Sequence, residues 1–350
     1  MASWFGPFRL ERQVGRGGLG TVYRAVDSRS GAMVALKILP GTDATAARRL
    51  RREFDALRHL AHPNIVRVLD FGEEEGVPWL SMEYVDGMAL REWLKVAGRP
   101  KLLEPDLEAD APEGVDLDVL FDEPDSGALL AAAKARRFKL ETGSEAVLTE
   151  EEQFEQNQPD RLHALCEAMS QVCDGLSFIH QRGLLHRDIK PGNVLVTSRQ
   201  RRATLVDFGL LKKMNDPEIT DHGHVVGTYR YMSPEQARGD PLDLRSDLYS
   251  VGATLYELVA GRPPFPHRNQ LQLLEAILYE EPPHVSTINP GAPSPLCNLA
   301  ERLLRKDRTR RPESAAEVGM VMRAVGRGVW GFSTPMMVPK LSEEIRGHDT

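Results

Sequence analysis

The sequence predicts an α+β chain whose strands gather near the N-terminus and whose longer helices follow. Three observations carry that expectation. Thr21-Val22-Tyr23-Arg24-Ala25-Val26 alternates as a strand does, and Val34-Ala35-Leu36-Lys37-Ile38 is a second, nearly continuous apolar run. Leu50, Phe54, Leu57 and Leu60 recur at helical spacing and give residues 45–60 one apolar face. A further long helix opens at Arg161.

Taken along the chain, each element adds a constraint. Lys37 is the one charge on its apolar strand, and an unpaired ammonium there would be costly, so it requires anionic partners. The helix over 45–60 carries a single glutamate, Glu53, beside its apolar face. Met82-Glu83-Tyr84-Val85-Asp86-Gly87 follows an apolar strand and precedes a helix start, which suits a hinge. Two short apolar strands come later, Val194-Leu195-Val196 and Thr204-Leu205-Val206. Each adjoins a loop dense in chemistry.

The first of those loops is His186-Arg187-Asp188-Ile189-Lys190-Pro191-Gly192-Asn193, and Asp207-Phe208-Gly209 begins fourteen residues after Asn193. Phosphoryl transfer needs positive charge over the moving group and an attacking hydroxyl held in line. Asp188 is placed to accept the hydroxyl proton, and Lys190, two residues on along an extended loop, to reach the γ-phosphate. Asn193 and Asp207 supply a neutral and a charged oxygen, the hard ligands Mg²⁺ prefers. Both groups in this order, each beside an apolar strand, point to transfer from ATP.

These motifs resemble the eukaryotic-like (Hanks-type) Ser/Thr protein kinase family, most closely its bacterial members. The resemblance implies a bilobal protein kinase fold, with a small β-rich N-lobe over about residues 1–82, a hinge at 83–87 and a larger helical C-lobe over 88–325. It implies ATP and Mg²⁺ as cofactors and proteins with Ser/Thr acceptors as substrates. Gly15-Arg16-Gly17-Gly18-Leu19-Gly20-Thr21-Val22 becomes the glycine-rich loop, where residues lacking Cβ let backbone N–H groups approach phosphates. A dinucleotide fold would need a helix after the last glycine, and here a strand follows; no G-K-[ST] nucleotide cradle occurs anywhere. Lys37 is assigned the α- and β-phosphates and an ion pair with Glu53. Backbone groups of Glu83 and Val85 would hold adenine, Val14, Val22, Ala35 and Leu195 would wall it, and Met82 would set the pocket's depth.

The resemblance extends to Gly227-Thr228-Tyr229-Arg230-Tyr231-Met232-Ser233-Pro234-Glu235, a substrate-binding segment closing in Ser-Pro-Glu where the family has Ala-Pro-Glu. It implies a Glu235–Arg311 pair, Asp247 capping the catalytic loop, and His186 packed under Phe208. Lys190 and Thr228 mark Ser/Thr acceptors. Gly192 stands where basophilic kinases often carry an acid, which argues against a strong demand for arginine. Arg187 wants an anion, and Thr220, the only Ser or Thr between Leu210 and Val226, is the expected autophosphorylation site.

The chain has 350 residues and a formal net charge of −7. Residues 101–158 hold sixteen acids and five bases, a net charge of −11, so the acidity belongs to an insert longer than the connection needs. Glu104 to Asp125 has ten acids and no base and reads as disordered; Ala128 to Leu140 reads as an amphipathic helix that would dock on the large lobe, the acidic stretch or a partner. Residues 326–350 are either a linker or a tail packed on the domain. Cys166, Cys173 and Cys297 form no disulfide framework, and buried thiols in a reducing cytosol are expected. No apolar run reaches the ~18 residues of a membrane span. A soluble cytoplasmic protein, without a nucleic-acid partner, is the expectation. A pseudokinase scaffold is the alternative, disfavoured because Lys37, Glu53, Asp188, Asn193 and Asp207 are all present.

Overall fold

The computed structural model describes residues 3–17, 20–39, 44–97, 147–208 and 229–328. A six-stranded antiparallel sheet is built from β1 (Ser3–Phe5), β2 (Phe8–Gly17), β3 (Gly20–Asp27), β4 (Met33–Ile38), β5 (Val68–Glu74) and β6 (Val77–Glu83), in the order β1-β2-β3-β4-β6-β5. Helix α1 (Ala44–Leu57) is amphipathic as its spacing requires, with Leu50 and Leu57 buried. Phe8, Ala25, Val34, Leu36 and Trp79 form a separate small core in this lobe, with Phe8 meeting Trp79 edge-on at 4.8 Å.

The second lobe is mainly helical. After β7 (Met88–Ala89) come α2 (Leu90–Ala97), α3 (Glu150–Gln156) and α4 (Pro159–His180). A hairpin of β8 (Val194–Thr197) and β9 (Arg202–Leu205) follows, and β7 completes its sheet in the order β7-β8-β9. Then come α5 (Pro234–Arg238), α6 (Leu244–Ala260), α7 (Gln270–Tyr279), α8 (Val285–Ile288), α9 (Ser294–Leu303) and α10 (Ala315–Gly326). Helix α6 is buried all round from Ser246 to Ala260, so it serves as the mast on which the other helices pack. Asp243 caps its start through Arg245 N, and Gly261 ends it in the left-handed conformation at φ 71°.

The two lobes are joined by hydrogen bonds as well as by the hinge. Asn64 O accepts from Leu205 N at 2.9 Å, Val66 N donates to Leu205 O at 2.9 Å, and Asn64 Nδ2 donates to Ala203 O at 2.8 Å. The β8–β9 hairpin is thereby fixed beneath the large sheet, and one continuous core runs from Leu50 through Met169 to Met322.

Within residues 147–158, the end of the acidic insert, one acid has a structural role. Thr149 and Glu152 form a capping box at the start of α3, with Thr149 Oγ1 3.2 Å from Glu152 N and Glu152 Oε2 2.9 Å from Thr149 N. Leu148 N donates to Ile288 O at 2.8 Å, and the Asn157 and Asn289 amides bond reciprocally at 2.7 and 3.0 Å. Net charge concealed a segment anchored by a few specific bonds. The amphipathic stretch 128–140 and the tail beyond residue 328 lie outside the described residues.

Candidate active site

The β8–β9 hairpin explains why two loops fourteen residues apart meet. Its register pairs Val194 with Leu205, so Asn193 and Val206 leave the hairpin side by side, and Val206 N donates to Asn193 O at 2.9 Å. Pro191–Asn193 makes one 3₁₀ turn, a short stop that turns Asn193 inwards to 6 % exposure. Asn193 Nδ2 then donates to Asp188 O and to Asp188 Oδ2, both at 2.8 Å. Lys190 Nζ donates to the same Asp188 Oδ2 at 2.9 Å. With its amide nitrogen committed to Asp188, Asn193 has its Oδ1 to offer a cation.

Lys37 enters from the other lobe. It sits between Val22 and Leu80 in the middle of the sheet, 3 % exposed, and its Nζ donates to Asp207 Oδ1 at 2.6 Å. Desolvation pushes the Asp207 carboxyl up, and the Lys37 ammonium more than reverses it, so Asp207 stays charged below the ordinary carboxylate range. Its side chain keeps 43 % exposure. Asp207 adopts φ 61° and Arg187 φ 67°, a conformation disfavoured for any residue with a side chain. Glu53 belongs to α1, and its side chain, the expected partner of Lys37, lies outside the described ones.

What holds Arg187 in that conformation is Asp247. Its Oδ1 accepts from Arg187 N and its Oδ2 from His186 N, each at 2.8 Å, while His180 Nε2 lies 2.8 Å from Oδ2. Asp247 thus ties the catalytic loop to the mast helix, as the resemblance implied. His186 stacks on Phe208 at 4.6 Å, and its complete burial pushes its pKa down, so it is a neutral packing residue at pH 7. The implied Glu235–Arg311 pair is present and bidentate, at 2.6 and 3.0 Å.

The glycine-rich hairpin is formed by β2 and β3. Gly15 pairs with Val22, Arg16 with Thr21 and Gly17 with Gly20; Gly18 and Leu19, at the tip, lie outside the described residues. Gly20 has φ 130°, and a Cβ there would sit 2.4 Å from Ile38 O. Only glycine closes this hairpin so near the backbone of β4. Val14 is 43 % exposed on the same strand, while Val22, Ala35 and Leu195 are half-buried and Met82 pairs with Ala35. In the hinge, Glu83 N is engaged by Arg67 O at 2.9 Å and Val85 O by Gly87 N at 3.0 Å.

Thr220, Gly227 and Thr228 lie outside the described residues. Residues 229–236 run along the catalytic loop, with Gln236 Nε2 donating to Arg187 O at 3.1 Å. Here sequence reasoning missed a cluster. Glu257 of α6 receives both Arg91 of α2 and the hydroxyl of Tyr231. Each of the three looks like an ordinary polar residue alone, and only their positions on α2, α6 and the 229–236 segment join them.

A bilobal α+β architecture with a lysine, an aspartate and an asparagine converging between its lobes is that of the protein kinases. Residues 8–318 match the model of the protein tyrosine and serine/threonine kinase family, and the chain belongs to it. It is 32 % identical to the probable serine/threonine-protein kinase PknB of Bifidobacterium longum, over 89 % of this chain and 38 % of that one. It is 31 % identical to the serine/threonine-protein kinase PknD of Mycobacterium tuberculosis, over 91 % of this chain and 40 % of that protein. The chain thus spans well under half the length of these relatives. Among solved structures, the kinase domain of Mycobacterium tuberculosis PknI superposes with a TM-score of 0.57 at 26 % identity, covering 92 % of this chain and 97 % of that one.

Proposed function

We propose that this chain is a Ser/Thr protein kinase domain that transfers the γ-phosphate of ATP to protein hydroxyls, with its lobes dividing at the hinge 83–87. The observation carrying this reading is the convergence of Lys37, Asp207, Asn193 and Asp188, the first two 2.6 Å apart from opposite lobes. The donor set fits Mg²⁺–ATP. Asn193 Oδ1 and the Asp207 carboxylate are hard oxygen ligands. Bound Mg²⁺ would neutralise charge developing on the phosphate oxygens.

The chain's own residues do the rest. Lys37 places a cation at the phosphates and keeps Asp207 ionised. Asn193 and Lys190, both donating to Asp188 Oδ2, hold that carboxylate in a set orientation. The acceptor hydroxyl loses its proton to Asp188, and Lys190 accompanies the charge moving onto the acceptor. Thr228 contacts the acceptor residue and Thr220 is the regulatory phosphosite that Arg187 reads. Free buried Cys166, Cys173 and Cys297 support work in the cytoplasm. Among the described residues no helix is long and apolar enough to cross a membrane.

The test is Mg²⁺–ATP turnover on a general Ser/Thr acceptor, with mass spectrometry of the chain itself. Asp188→Asn is expected to lower kcat by about 10²–10⁴-fold, and wild type to carry phosphate on Thr220. Equal incorporation by the two proteins would overturn the catalytic assignment; phosphate elsewhere and none on Thr220 would overturn the regulatory one.

A further inference from the structure

Near the catalytic loop lies a buried carboxylate, Glu257, that the protein occupies itself. Glu257 is 6 % exposed on α6. Its Oε1 accepts from Arg91 Nη2 and its Oε2 from the Tyr231 hydroxyl, and Arg91 Nη2 also lies 3.5 Å from that hydroxyl. Arg91 stands at the start of α2, which follows the hinge and packs against the turn Pro191–Asn193. Tyr231 is three residues beyond Thr228, and its carbonyl accepts from Ser250 Oγ of the mast helix at 2.7 Å. The cluster therefore lies near the loop that carries Asp188 and Asn193.

Burial raises the Tyr231 phenol, while Arg91 first, then Arg230 and Lys190, pull it the other way. Arg230 Nε is buried without a hydrogen-bond partner among the described residues. Arg91 itself keeps 46 % side-chain exposure. A basic peptide side chain arriving here would meet the Arg91 guanidinium first. To reach Glu257 it would have to displace a charge-assisted hydrogen bond already made.

We propose that Arg91, backed by Tyr231, is a specificity-determining plug on Glu257, so that the kinase disfavours acceptor sequences with arginine beside the Ser or Thr and favours acidic ones. This rests on the kinase reading above and names the substrate class of the same site. Selection works by occupation: the acid that would recognise a basic residue is present, and the protein's own cation blocks it.

The test is kcat/KM of the full chain on three peptides with one Thr, flanked on both sides by Arg, Glu or Gln. Wild type is expected to use the Glu peptide about tenfold better than the Arg peptide, the scale of one close charge–charge discrimination. Arg91→Ala, and Arg91→Gln where the first variant melts too low, should raise the Arg:Glu ratio about tenfold. Arg91→Lys, which keeps the cation, should hold the parent ratio, and adding Glu257→Gln to Arg91→Ala should abolish the gain. A ratio within twofold of wild type in both neutral Arg91 variants overturns the proposal. So does a wild type that prefers the Arg peptide. The Gln peptide separates the two readings: Asp188-dependent phosphate on it with an unmoved ratio sinks only the plug, while no Asp188-dependent phosphate on any peptide sinks the kinase assignment and the plug with it.

Discussion

Asp247 shows how much of the site depends on one side chain that never faces the cleft. Buried at 1 % exposure, it would be driven towards neutrality, yet His180 and the backbone donors hold its carboxyl below the ordinary range. Its two oxygens serve the backbone N–H groups of His186 and Arg187, and the positive φ of Arg187 survives because those bonds over-determine it. Asp247→Asn, whose amide has a single acceptor oxygen, should cost about 2–4 kcal/mol in urea unfolding. It should also lower kcat more than it raises KM for ATP, because the loop carrying Asp188 loses its anchor. Unchanged stability and kcat would show that the loop holds itself. Asp188, Asn193 and Asp207 were legible in the sequence because each adjoins a short apolar strand, and Lys37 because a lone ammonium on an apolar strand needs an anion. Arg91, Tyr231 and Glu257 were not, because separations of 140 and 166 residues leave no local periodicity to reveal a contact.

At the scale of elements, the mast helix depends on a missing side chain. Gly252 lies against α9 so closely that a Cβ would stand 2.5 Å from Leu303 Cβ. Gly252→Ala should destabilise by about 1–3 kcal/mol through overpacking, read as a lower denaturation midpoint. Leu303→Gly, which removes that Cβ, should cost less in the Gly252→Ala chain than in wild type, a coupling that a double-mutant cycle measures. Additive losses would mean that the helices do not press on each other there. The elements themselves were readable in outline. The helix expected over 45–60 occupies Ala44–Leu57, and the long helix expected from Arg161 starts at Pro159, where proline suits a first turn. The capping box at Thr149 was overlooked because the acids around it were weighed as charge rather than as caps.

For the whole molecule, the Glu235–Arg311 pair joins the segment 229–236 to the turn before α10. Both side chains are essentially inaccessible, at 4 and 0 % exposure, and Arg311 also donates to the carbonyls of Arg245, Arg305 and Lys306. Burial raises the Glu235 carboxyl, and Arg311 more than offsets it, so the folded value lies below the ordinary 4.5. The pair's contribution is therefore complete above about pH 4.5 and fades as pH falls through the depressed folded value. Glu235→Gln should lose about 3–5 kcal/mol at pH 7 and show a shallower loss of Tm than wild type between about pH 5 and 3. Parallel acid limbs would show that other carboxylates govern the transition. Helix α10 closes the same lobe. A Cβ at Gly319 would approach Cys173 Cβ to 3.1 Å and one at Gly326 would approach Cys166 Cβ to 3.0 Å, so the helix lies directly over both cysteines. Burial pushes each thiol up to about 12. These sulfurs consequently make a latch sensor: with Cys297 replaced by Ala, the rate at which a thiol reagent labels Cys166 and Cys173 at neutral pH should follow the lifting of α10.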